Sequence, residues 1–295
     1  MLKRFGQSLR LGIARDSISL VRVSRWRRPA TTVLAELPLD NAAGATAEQC
    51  LQHLCQVLPV LLPRLLAHAA TGSATASATK QPYAHWPLTV VLADDLVRLW
   101  PVTPPAGASR LADLEAAAAL RFHSLFGEPL SGWRMMADWD VRATFFAAAI
   151  PATLLTLITQ QAQQHQLVLM EMAPQFILAW NQWRAALLPG AWFALLHDEV
   201  LTVGVTSTSR LSAVRSTLLP SGDVSFTWLQ TYLQREALLL NVAPPTQLQI
   251  CGVLPEQWPA NAGAGQIACT RLNHARRGLP PLSAGAMLAQ TGARS

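Results

Sequence analysis

A coarse echo between the two halves of the chain constrains its fold more than any single motif. Apolar Leu11 and Ile13, then Ile18, Leu20, Val21 and Val23, predict two strands around a turn at Arg15-Asp16, with a third strand over Thr31–Leu37. A Leu-rich helical region over 46–69 follows, broken or kinked near Pro59 and Pro63, and then a strand over Leu88–Ala93. The second half opens in the same order. Strands are expected over Trp192–Leu196, Val200–Val205 and Arg210–Leu218, then a helix over Phe226–Leu240 and a strand over Gln247–Val253. Its first turn is His197-Asp198-Glu199, and a last short helix is expected over Pro281–Thr291.

A different pattern lies between the halves. A strand over Val97–Val102 precedes a helix from Ser109 to Phe126, with Leu111, Leu114, Ala118, Phe122 and Leu125 on one face and Ser109 as its cap. Trp133–Val141 and Ala143–Ile150 read as paired strands. Pro151 opens a helix to about Gln164, Leu167–Met172 reads as a strand, and Pro174 opens a helix to Leu188.

Composition narrows the class. Of the 295 residues, 51% are hydrophobic and only 14% charged, against a usual quarter, and ten are Trp. A disordered chain, a coiled coil and a collagen-like fibre are excluded. The apolar runs Ala143–Ile158 and Ala185–Val205 are broken by Pro151 and by His197-Asp198-Glu199, so neither reads as a membrane span. No signal peptide is expected either, because the basic start is not followed by an apolar run.

Charge is local. Residues 1–28 carry eight of the 23 basic residues and one of the 17 acidic ones, a net +7 that leaves the rest of the chain at −1. Lys3, Arg4, Arg25, Trp26, Arg27 and Arg28 therefore form a candidate patch for an anionic membrane surface or a partner, or else a solvated hairpin tip. A nucleic-acid face is disfavoured, because interleaved aromatics and a wide positive surface are missing. The cysteines at 50, 55, 251 and 269 lack zinc spacing. Cys50, Leu51, Leu54, Cys55 and Leu58 fit a core helix stripe, and a reducing cytoplasm is expected. Common phosphate-loop, dinucleotide, zinc-protease and serine-hydrolase signatures are missing, and the seven His are scattered. Asp138 and Asp140 would share a strand face, as a metal or glycosidase pair might, but the ordinary reading is a solvated strand face.

Several stretches together carry a resemblance. Met1-Leu-Lys-Arg-Phe-Gly before Leu11-Gly-Ile, Leu92 to Pro101, Leu120 to Pro129 with Trp133 to Trp139, and Phe145 to Pro151 with Gln160 to Ile177 follow one another in a particular order. That order resembles the PilM-type pilus assembly proteins, the cytoplasmic domain of GspL in type II secretion, and MshI. The resemblance implies an α/β, actin-like fold (a duplicated ribonuclease H-like fold) with a small α+β module of the FtsA type inserted. Residues 1–104 would form the first domain, completed by 173–189. The module would span 105–172, and the second domain 190–295.

An actin-like ATPase would need an Asp and a Gly in its first turn, Asp-x-Gly in its second, and a Gly pair against the nucleoside. Here Ala14 stands at the Asp position and Asp16 at the Gly position, flanked by Arg15 and Ser17. The second turn has no Gly, and Cys251-Gly252 offers one Gly instead of two. No cofactor is expected, and ATP with magnesium is disfavoured. The family resemblance also implies a groove that takes a cytoplasmic peptide from a bitopic membrane partner, with Arg98, Trp100, Arg121 and Phe122 near it, and a motor ATPase docking elsewhere. The expected function is a non-catalytic cytoplasmic scaffold, peripheral at the inner membrane, that could dimerise through an open strand edge. The alternatives are a nucleotide-dependent switch and a small-molecule kinase of the same superfold.

Overall fold

The structure, a computed structural model, describes residues 6–24, 30–41, 46–71, 83–207, 210–220, 224–255, 258, 267–272 and 282–293. The candidate basic residues Lys3, Arg4, Arg25, Trp26, Arg27 and Arg28 lie outside these.

Strands β1 (Gln7–Ile13), β2 (Ser17–Ser24) and β3 (Ala30–Pro38) form an antiparallel meander. Helix α1 (Ala47–Thr71) crosses to β4 (Pro87–Leu92), which lies parallel to β1 with Leu11 opposite Val90. The middle of the chain contributes β5 (Arg98–Val102), α2 (Leu111–Phe126), β6 (Trp133–Ala137), β7 (Phe145–Pro151), α3 (Ala152–Gln164), β8 (Val168–Pro174) and α4 (Gln175–Trp183). The second half contributes β9 (Trp192–His197), β10 (Val200–Ser207), β11 (Arg210–Leu218), α5 (Phe226–Leu239), β12 (Gln247–Gly252), β13 (Ala268–Arg271) and α6 (Ala284–Gln290).

The echo in the sequence becomes a repeated topology. One sheet has the order β3-β2-β1-β4-β8 and the other β11-β10-β9-β12-β13, each a three-strand meander extended by two parallel strands. Each sheet buries an odd-numbered or even-numbered face against its own helix, as strand alternation requires. Leu9, Leu11 and Ile13 pack with Leu54, Leu58 and Leu62 of α1, while Trp192, Ala194 and Leu196 pack with Leu229 and Leu233 of α5. By length and composition α1 could cross a membrane over Glu48–Ala70, but its stripe of Cys50, Leu54, Leu58, Leu62 and Leu65 is buried in the first core. The helix runs as one element through Pro59 and Pro63, where the sequence predicts a break or a kink. Burial of that stripe on both sides of the prolines outweighs the lost backbone bonds.

The module differs from the sequence expectation at both ends. β5 pairs with β7, and β7 with β6, in a separate three-stranded sheet under α2. β8 instead pairs with β4, and α3 packs Leu154 and Ile158 into the first core, so neither lies in the small sheet. α2 is capped by Asp113, whose carboxylate accepts from the Ser109 and Arg110 amides, and not by the Ser109 hydroxyl. β6 stops at Ala137 because Trp139 takes a positive φ of 38°, so Asp138 and Asp140 share no strand face.

One helix packs between the lobes, and another covers the first sheet. α4 sets Phe176 and Trp180 against Phe193, Leu195 and Leu211 on the free face of the second sheet. α6, last in the chain, lies on the first sheet opposite α1. A Cβ on Gly12 would meet the Ala289 amide and the Gly285 carbonyl at 2.9 Å, so the helix sits on a strand without a side chain there. Buried Arg10 fixes it by donating to the carbonyls of Ala289 and Thr291.

Candidate functional site

Two places bring the candidate residues together: the cleft between the lobes, and a groove beside the inserted sheet.

The cleft is bounded by the β1–β2 turn, the turn after β4, and the β9–β10 turn. The first is closed by the Ala14 amide donating to the Ser17 carbonyl at 2.9 Å. Ala14 is buried with Val91, Ala93, Ala173 and Leu288, an apolar cluster in which a carboxylate would be desolvated without a partner. The Arg15 carbonyl accepts from the Asn41 amide, and the Arg15 Nε lies 3.3 Å from the Cys50 sulfur. Asp16 is exposed and takes the Ser17 hydroxyl at 3.1 Å.

Asp94 and Asp95 occupy the short 3-10 turn after β4. Asp94 is buried and accepts from the Phe176 amide at 2.9 Å, while the Thr202 hydroxyl of the other lobe pairs with Ser216 at 3.0 Å. Burial pushes the Asp94 carboxyl up to about 7, against the Phe176 amide and the nearby Thr202 hydroxyl. Burial also raises Asp95, opposed chiefly by Arg15, and neither of its oxygens has a hydrogen-bond donor among the described residues. From the second lobe, His197 Nε2 stands 2.9 Å from Asp198 Oδ2, at ion-pair distance though outside hydrogen-bond alignment. Cys251 is buried, with its thiol pushed up to about 12 by desolvation and then by Asp94. Gly252 has φ +110°, and a Cβ there would stand 1.8 Å from the Leu196 carbonyl oxygen. That glycine lets β12 pass β9, a structural need independent of any nucleoside. The residues present are a poor match for a triphosphate and its metal: buried carboxylates face the cleft, and the first turn has no acidic ligand at Ala14.

The groove, of about 610 Å³, runs between the face of the inserted sheet, the end of β8, α4 and the start of β11. Its floor carries Met136, Phe146 and Ile150, and its wall Met172, Ile177 and Trp180. Arg134 and Arg184 stand at its rim. Met136 is 73% exposed. At one end Arg210 of β11 donates to Asp140 Oδ2 at 2.8 Å, and that bond, together with the Arg142 backbone amide donating to Oδ1, holds the carboxyl below its usual value.

None of the four residues expected near a partner groove lines it. Trp100 and Phe122 are fully buried, with ring centroids 5.1 Å apart in the core of the inserted module. Arg98 is half-buried over the Trp133 ring at 4.9 Å and pairs with Glu128 at 3.3 Å. Arg121 is exposed on α2. The groove residues left a signal in the sequence, since Arg134, Met136 and Asp138 alternate and share one side. Trp86, Trp100, Trp180, Trp192 and Trp258 are buried in cores, whereas Trp133, Trp139 and Trp183 are partly exposed.

No family model and no curated protein matches the chain. Solved structures do. A Bacteroides thetaiotaomicron protein of unknown function with an actin-like ATPase fold is 12% identical, with 86% of this chain and 85% of that one covered at a TM-score of 0.54. The fold is actin-like. The cytoplasmic domain of EpsL, an inner membrane component of the type II secretion system of Vibrio cholerae, is 14% identical over 97% of this chain and 94% of its own, at a TM-score of 0.54. A PilM-PilN type IV pilus biogenesis complex matches at 15% identity, 84% and 82% coverage and a TM-score of 0.53. The family resemblance seen in the sequence thus has counterparts among actin-like neighbours.

Proposed function

We propose that this actin-like chain is a non-catalytic scaffold of a pilus-assembly or type II secretion-like machine, held in the cytoplasm against the inner membrane by a bitopic partner. The carrying observation is the open groove beside the inserted sheet. Its apolar, Met-containing floor suits a short extended segment, because thioether side chains adapt to the contours of a guest. Two neighbours of the same fold bear names that place them in an inner-membrane secretion component and in a two-protein pilus complex, which supports this reading. Coupling to a motor ATPase would then pass through other faces of the lobes.

A photo-crosslinker placed at Met136 tests the groove. In cells, crosslinking from Met136 should capture a bitopic inner-membrane protein, whereas the same group at Arg121 on α2 should not. Failure to trap any membrane protein from Met136 would remove the groove from this role.

The nucleotide switch is the second reading. Ligand at a thousand times its dissociation constant would stabilise the fold by about 4 kcal/mol. Millimolar ATP with magnesium should leave the thermal midpoint unchanged, since the cleft holds buried carboxylates where a triphosphate would lie. A clear upward shift would put the switch ahead of the scaffold.

A further inference from the structure

A cavity of about 420 Å³ on the second lobe, between the end of β11 and α5, lies apart from both the cleft and the groove. β11 is the outermost strand of its sheet, and among the described residues no strand pairs with its outer edge. Its first half is engaged. Arg210 reaches Asp140 of the inserted module, and Leu211 and Val214 pack with Phe146 and Phe193 between the lobes. Its second half, Arg215 to Leu218, is outside that core, and Leu218 is 50% exposed. An open edge of this kind is a template for another strand.

Against that edge α5 sets Trp228, Thr231, Tyr232 and Arg235, which recur at three- and four-residue spacing and line the cavity. Trp228 stacks on Tyr232 with ring centroids 5.4 Å apart and planes within 6°, which makes a flat apolar wall. Glu236 is only 5% exposed, and its carboxylate stands 3.6 Å from Arg215 Nε and 4.0 Å from Arg235 Nε. Both distances exceed a hydrogen bond, so the two guanidinium groups keep their donors. Two arginines around one carboxylate leave a single positive charge beside an unpaired strand edge. A second carboxylate in the cavity would balance that charge and accept from both guanidinium groups.

We propose that the end of β11 receives an extended acidic segment of a partner protein. The segment's backbone adds to the edge from Arg215 to Leu218, and one Asp or Glu side chain reaches Arg215 and Arg235. An apolar side chain two residues along, on the same face, lies against Trp228. A second copy of this chain is a poorer occupant. A two-fold axis through this stretch would bring the Arg215 side chains of the two copies together, and like charges facing across strands repel. The surface goes beyond the scaffold reading and does not depend on the groove.

A displayed library of random seven-residue peptides, selected on the full chain, tests this surface. The enriched peptides should carry Asp or Glu among β-branched or aromatic residues. The tightest of them, made synthetically, should bind about tenfold more weakly when that acid becomes Gln, and should lose binding when alternate backbone amides are methylated. Arg235→Gln alters a side chain that is 71% exposed, so the thermal midpoint should hold while affinity falls about fivefold to tenfold. Arg134→Gln, at the rim of the groove, should leave affinity unchanged. Failure to enrich any peptide, enrichment without an acidic residue, undiminished affinity in Arg235→Gln, or indifference to backbone methylation would each overturn the proposal. So would a loss in Arg134→Gln in place of Arg235→Gln, since that would seat the peptide in the groove.

Discussion

Gly252→Ala should cost about 4 kcal/mol or more in denaturant unfolding, with no nucleotide present. Two independent terms add. The backbone at Gly252 sits at φ +110°, which an L side chain rarely adopts, and a Cβ would stand 1.8 Å from the Leu196 carbonyl oxygen. Backbone at that position is hydrogen-bonded to β9 and has no room to retreat, since Leu196 and Gly252 are register partners in the parallel pair. Gly190→Ala separates the terms. Its φ is +77°, but nothing lies within 4 Å of the added methyl, so only the strain of about 1 kcal/mol should appear. Equal losses in the two variants would mean that the strand crossing tolerates a side chain, and the case for Gly252 as a purely structural residue would fall. That case matters for function, because a glycine in this position reads from sequence as a remnant of a nucleoside site.

What could be read in the sequence tracks what is local. The strand alternation of 11–23 and the repeated order of elements appear in the structure as expected, and the α2 stripe does so from Leu114 to Leu125, while Leu111 at its head is exposed. Parallel pairing is not short-range. Leu167–Met172 looks the same whether its neighbour is the preceding hairpin or a strand far upstream, so its local pattern places it with the module, whereas β8 pairs in register with Pro87–Leu92. The candidate site followed the same rule. Gly252 and Ala14 could be flagged as departures from a nucleotide cleft, but the reason for each lies across the fold, in Leu196 for one and in Leu288 for the other. In the sequence Asp94 and Asp95 are two adjacent carboxylates; the burial of Asp94 depends on α4, whose Phe176 amide it accepts, and no local pattern reveals that. Arg98, Trp100, Arg121 and Phe122 were placed by position in a layout. The layout fixed the module, but the direction of each side chain came from pleat and packing: Trp100 points into the sheet–helix core, and the groove lies on the opposite side, with Met136 and Arg134.

That last distinction gives an expected result with a large effect. Trp100→Ala should destabilise the protein by about 3–5 kcal/mol, the range for emptying a fully buried aromatic site. The indole is in edge contact with Phe122 at 5.1 Å and Phe126 at 6.1 Å, so its removal opens a cavity beneath α2 that the small inserted sheet cannot collapse to fill. Trp100→Phe should lose far less, because it keeps an aromatic ring there and removes an indole N–H that is buried without a partner. Met136→Ala, by contrast, should stay within about 0.5 kcal/mol of the unaltered protein, since that side chain is mostly in water. Phe122→Ala combined with Trp100→Ala should cost less than the two losses taken separately, because both rings line one cavity. Denaturant midpoints for this set are decisive. A small loss for Trp100→Ala would show that the indole faces outward in solution, and would return it to the list of partner contacts. A large loss leaves the partner face of the module to Met136 and Arg134, and any weakening of partner binding by Trp100→Ala would then scale with the unfolded fraction and vanish once the variant is restabilised.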